Sequence, residues 1–127
     1  MRDCSIQLTH RPGDLARVAE TLASHEVNLK ALAALAIDGQ AVVRILPDNI
    51  EAARTALEAG HIRFTELEVH VVLLENRAGQ IAAVATRLGE AGVNLEALYL
   101  TGVLDDMVEI AFVCDNPKKA KKVLEEF

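Results

Sequence analysis

Apolar and polar residues alternate through Ile6-Gln7-Leu8, which predicts a short strand with one buried face. Arg11-Pro12-Gly13-Asp14 breaks it, because proline cannot donate to a sheet ladder and glycine opens backbone conformations closed to other residues. Beyond this loop Leu15, Val18, Ala19 and Leu22 fall at i, i+3, i+4 and i+7, the stripe of an amphipathic helix. Arg17, Glu20, Thr21 and Ser24 take its wet side. The next stretch puts Val27, Leu29, Ala31, Ala33, Leu35 and Ile37 at every second position, predicting a strand with all six on one face, although its alanines alone would favour helix. Asp38-Gly39 is a two-residue hairpin signal leading into the β-rich run Ala41 to Leu46. After Pro47-Asp48-Asn49, the residues Ile50, Ala53 and Leu57 mark a second helix, capped by Asp48 or Asn49 and closed by Gly60. His61 to Leu67 then predicts a fourth strand, so the order is β-α-β-β-α-β.

The pattern comes twice. Arg77-Ala78-Gly79-Gln80-Ile81 answers Arg11-Pro12-Gly13-Asp14-Leu15, and Val93-Asn94-Leu95 answers Val27-Asn28-Leu29; 79 − 13 and 94 − 28 both equal 66. Eleven of the 22 positions from 11 to 32 are identical to their mates at that offset, among them Val18/Val84, Leu22/Leu88 and Leu32/Leu98. A period of 66 exceeds the roughly 20–50 residues of solenoid repeats, so the chain is expected to hold two small domains, residues 1–68 and 69–127. Asp115-Asn116 answers Asp48-Asn49 at 115 − 48 = 67, which puts one extra residue near the second hairpin. The second copy runs strand Val69 to Leu74, helix Ile81 to Glu90, strands Val93 to Gly102 and Met107 to Val113, and helix Pro117 to Glu126, and no fourth strand is expected in it.

The predicted fold class is therefore α+β, two ferredoxin-like βαββαβ modules in tandem, each an antiparallel sheet with helices on one face. A module of this size buries only about 60% of its unfolded surface, so the two are expected to share a core or a sheet and form one compact unit. In strand order 4-1-3-2 a missing fourth strand leaves Val69 to Leu74 at an edge, and such an edge invites another chain. A homodimer covering it is expected.

Composition narrows the function. The net charge of −6 argues against nucleic acid as partner, and Lys118-Lys119-Ala120-Lys121-Lys122 reads as a solvated helix face. No run suits a membrane span and no signal peptide opens the chain, so a soluble cytoplasmic protein is expected. Cys4 and Cys114 lack metal-type spacing and read as buried free thiols. No nucleophile–base pair or paired carboxylate motif is present, and His25-Glu26 at a helix end reads as a surface pair, so no catalysis and no cofactor are expected.

A strand, a Pro-Gly or Ala-Gly loop, a helix and a strand opening Val-Asn-Leu resemble the start of an ACT domain, and the chain as a whole resembles the free-standing tandem ACT proteins. That resemblance implies a non-catalytic, allosteric role: binding of an amino acid or similar metabolite at interfaces between modules, with an enzyme or regulator of amino-acid metabolism as target. The second copy, with Asn76, Arg77, Gly79 and Asn94, is similar to the serine-sensing ACT domain of phosphoglycerate dehydrogenase, whose loop and second-strand asparagines hold the ligand; Leu74 stands where that domain has a histidine. The first copy has His10 at the loop position, Leu8 at the histidine position, and Asn28.

Chemistry gives the same positions a role. A loop entering a helix offers unpaired N–H groups and a favourable dipole to a carboxylate, and Gly13 and Gly79 let a ligand approach that backbone. Asn28, Asn76 and Asn94 donate and accept, so they suit carboxylate and ammonium alike. Arg11 and Arg77 suit a carboxylate and equally a solvated surface, and Asn28 and Asn94 also suit a bare turn. Asp14, Leu15, Leu29, Gln80, Ile81 and Leu95 complete the expected ligand-binding set. Two other readings compete: a docking module with no ligand, and a metal sensor assembled from His10, His25, His61, His70 and Cys4, whose spacings match no short motif.

Overall fold

Strand β1 (Arg2–Thr9) leads through a left-handed Gly13, φ 90°, into helix α1 (Asp14–Ser24). The computed structural model describes residues 1–127. Strands β2 (Leu29–Ile37) and β3 (Gln40–Pro47) form a hairpin across Asp38-Gly39, both residues at positive φ. Helix α2 (Ile50–Ala59) begins on Asn49, whose side-chain oxygen accepts from the N–H groups of Glu51 and Ala52 at 3.0 and 3.2 Å and satisfies two of its orphan donors. Strand β4 is only Thr65–Glu68. The fourth strand expected from His61 starts late because His61 is left-handed, φ 54°, with its N–H held by the Glu58 carbonyl. The sheet order is β2-β3-β1-β4.

The second sheet joins β5 (His70–Glu75), β7 (Met107–Cys114) and β6 (Leu95–Leu104) in the order β5-β7-β6, with helices α3 (Gln80–Glu90) and α4 (Pro117–Leu124). The architecture is α+β, with four helices and two antiparallel sheets.

The strands form two separate sheets rather than the shared one expected from module size, and each unit has its own core cluster. The chain divides into two compact units, Arg2–Leu67, and Met1 with Glu68–Phe127. In the first, Cys4, Ile6, Val43 and Ile45 of the sheet pack with Val18 and Leu22 of α1 and Ala56 and Leu57 of α2. In the second, Val72, Leu74, Val108, Ile110 and Phe112 pack with Val84 and Leu88 of α3 and Ala120 of α4. Two helices laid on one face are enough for each sheet to close its own core.

The edge strand β2 departs from strict alternation. Its register on β3 shifts between Leu29, opposite Pro47, and Ala31, opposite Leu46. Lys30 is the extra residue, and past it the faces exchange: Leu32 and Ala34 pair with the core residues Ile45 and Val43, while Ala31, Ala33, Leu35 and Ile37 lie opposite. The six residues expected on one face are thus divided between two. In β6 the same shift recurs between Leu95 and Ala97, and a second one, between Leu100 and Gly102, absorbs the extra residue within the strand instead of at the turn.

Candidate functional site

In the first unit the loop after β1 and the N-terminus of α1 border a cavity of about 300 Å3. Its walls are Leu8, Leu15, Ala34, Leu35, Ala36, Ala41 and Val43, and its polar rim is Thr9, His10, Arg11 and Asp14, with Gly13 at the turn. His10, Arg11, Gly13, Asp14 and Leu15 of the expected set therefore converge there. The rim is organised by short bonds: the Thr9 hydroxyl donates to Asp14 at 2.7 Å, and Arg11 Nε donates to the same hydroxyl at 2.9 Å. A guanidinium and a carboxylate thus meet through one threonine.

Asn28 and Leu29 do not line this cavity. Thr9 lies opposite Gln40 and Leu29 opposite Pro47, so loop and asparagine sit at the two ends of β3, seven residues or about 23 Å apart. One unit cannot bring both to a single small ligand. The second unit repeats this geometry, with Glu75 opposite Met107 and Leu95 opposite Cys114. Asn76, whose N–H donates to the Asp106 carbonyl at 2.6 Å, and Asn94 therefore also lie at opposite ends.

The two copies differ in their chemistry. Helix α1 has Asp14 in its first turn, which opposes a bound carboxylate, whereas α3 has no acidic residue there. At α3, however, Arg77 is paired with Glu75 at 2.7 Å, and the Gln80 amide oxygen, turned toward it, accepts from the same guanidinium at 3.2 and 3.3 Å. Ile81 at the helix start is 48% exposed, as Leu15 is at 43%. Asn94 is engaged as well: its backbone N–H donates to Asp115 Oδ1 at 2.9 Å and its side-chain amide to Oδ2 at 3.3 Å. In the first copy the corresponding link is between backbones, Asp48 N–H to the Asn28 carbonyl at 3.0 Å.

Sequence reasoning missed Thr9, the β2 residues of the cavity wall, and Asp115. Thr9 carried a weak signal, a hydroxyl residue closing a strand before a helix start; Ala34 and Ala36 carried none, because alternation set them on the wrong face. No three His, Cys, Asp or Glu side chains converge as a metal site. Burial raises the Cys4 thiol to about 11, with Glu66 and Asp3 adding to the effect, and burial also pushes the Cys114 thiol up. Both thiols are free and buried. No helix is long and apolar enough to cross a membrane.

No protein-family model and no curated relative matches the chain. Solved structures do. The chain superposes on protein BT0572 from Bacteroides thetaiotaomicron with TM-score 0.88 at 26% identity, covering 98% of this chain and 86% of that one. It superposes on the ligand-free regulatory subunit of aspartate kinase from Thermus thermophilus with TM-score 0.66 at 14% identity, and on the one from Thermus flavus with 0.62 at 16%; each covers 98% of this chain and 90% of the other. The fold is ACT-like. Within an ACT-like frame the glycine turn at a helix start and the asparagine before the next strand are repeated landmarks, set at opposite ends of each sheet.

Proposed function

We propose that the protein is a non-catalytic regulator made of two ACT modules in tandem, with the boundary near residue 68, and that it binds an amino acid and signals to an enzyme or regulator of amino-acid metabolism. The observation that carries this reading is the cavity at the start of α1: apolar walls sized for a side chain, with Arg11 and Asp14 on one rim to meet carboxylate and ammonium. The regulatory aspartate kinase subunits, which have this fold, support the regulatory role by analogy.

The site is completed by a second copy of the chain. Strand β2 is an edge, with Leu35 and Ile37 more than half exposed. Lys30 stands near its start and Asp38 just beyond its end, so two β2 strands paired antiparallel about Ala34 set Lys30 of each beside Asp38 of the other. The same arrangement of β6 would set Glu96 against Asp105 and Asp106, like against like. Pairing along β2 carries Asn28 of the second copy to the end where the cavity opens.

Thermal melting against the twenty amino acids tests the reading. A ligand at 100 times its dissociation constant adds about 2.7 kcal/mol, a rise of several degrees. A selective rise that Asn28→Ala and Arg11→Gln both abolish in folded protein is the expected result. A flat panel, with the protein folded, overturns amino-acid binding.

A further inference from the structure

The first unit has a second concavity, of about 750 Å3, that shares no residue with the α1 cavity. Its position follows from the short fourth strand. β4 has four residues against eight in β1, so part of β1's outer edge has no strand beside it. The groove lies beside β1, with Ser5 and Gln7 of that strand on one side, Val42, Ile62 and Phe64 as apolar surface, and Glu58, Arg63 and Thr65 on the side of the α2–β4 connection. Arg54, nearby in sequence, is committed to Glu66 through two bonds of 2.9 and 2.8 Å. Glu58 and Arg63, in contrast, are exposed.

One carboxylate and one guanidinium select the ligand. A phosphate or other polyanion would meet Glu58, and a polyamine would meet Arg63, whereas a zwitterion satisfies both. The volume falls within the roughly 300–1,000 Å3 of small-molecule sites and is more than twice that of the α1 cavity. An unpaired strand edge supplies backbone donors and acceptors to an extended ligand. We propose that this groove binds a short zwitterionic peptide of about dipeptide size, its carboxylate on Arg63, its ammonium on Glu58, its backbone along β1 and an apolar side chain against Phe64 and Val42. This site is independent of the amino-acid site at α1.

The test is an amide-shift titration of the full chain with L-leucyl-L-leucine, repeated with the same dipeptide acetylated and amidated and in the variants Arg63→Gln and Glu58→Gln. Both substitutions replace exposed side chains, so folded variants are expected. The expected result is saturable shifts at Ser5, Gln7, Val42 and Thr65, affinity about tenfold weaker in each variant, and no saturation with the blocked peptide. The proposal is overturned by no shifts at millimolar peptide, by shifts confined to Thr9–Leu15, or by equal affinity for the blocked peptide. Because the α1 cavity reports through different amides, failure of one site is distinguishable from failure of the other.

Discussion

The asparagines Asn28 and Asn94 are identical in the repeat, yet only Asn94 is tied to a side chain, and most of the stability in that tie is expected to rest on Asp115. In the second unit Asp115 accepts two bonds from Asn94, at 2.9 Å from the backbone N–H and 3.3 Å from the side-chain amide. Asn94→Ala removes only the longer bond, in an exposed setting, which puts the cost near the low end of the usual range, about 0.5 kcal/mol. Asp115→Ala removes both, including the shorter bond to a charged acceptor, and after a discount for solvent costs about 1–2 kcal/mol. Asn28→Ala removes no side-chain bond to its counterpart Asp48 and stays within about 0.5 kcal/mol of wild type. Urea unfolding of the three variants and of Asn94→Ala/Asp115→Ala measures this. The double variant should match Asp115→Ala, since the amide then has no carboxylate left to lose. If Asn94→Ala costs as much as Asp115→Ala, the asparagine side chain is stabilised by something other than Asp115 and the reasoning fails.

Three further outcomes follow from the geometry. Gly79→Ala should cost about 1–2 kcal/mol through its left-handed backbone alone, because a Cβ there meets nothing within 4 Å; a much larger loss in a melting experiment would contradict this. His70 is buried, stacked on Phe112 at 5.2 Å and faced by Glu68, Lys121 and the N-terminus, and burial first holds its pKa below the usual 6.5. The unfolded chain therefore takes up a proton first, so stability present above about pH 6.5 is lost as pH falls toward the lowered folded value, and His70→Phe should flatten that part of the urea midpoint against pH. Lys30→Glu should weaken self-association in sedimentation velocity and Asp38→Asn added to it should partly restore it, asparagine being tolerated at the φ of 52° there; unchanged association in Lys30→Glu refutes pairing along β2.

The fold was legible because its determinants are local and repeated. Val18 with Leu22 and Val84 with Leu88, read as one helical stripe in two copies, are the residues that fill the two cores. Gly13 and Gly79 were placed at a turn, and both take φ 90°. What alternation missed was the shift after Leu29: one inserted residue in an edge strand moves every later side chain to the other face, and a two-residue period has no means of registering it. Alanine hid the error, since Ala31, Ala33, Ala34 and Ala36 fit either face.

The sites were less legible for a different reason. Repetition directs attention to the positions that have mates, and for the loop residues His10 to Leu15 this was informative, because they gather at one cavity. The groove beside β1 depends on Ile62, Arg63, Phe64 and Thr65, none of which belongs to the matched stretch from 11 to 32. Comparing the copies could not find it. Nor does any local pattern announce it, since Glu58 and Arg63 are ordinary surface charges until a short fourth strand leaves them beside an open strand edge. A feature made by the length of one strand is a tertiary fact, which no local pattern records.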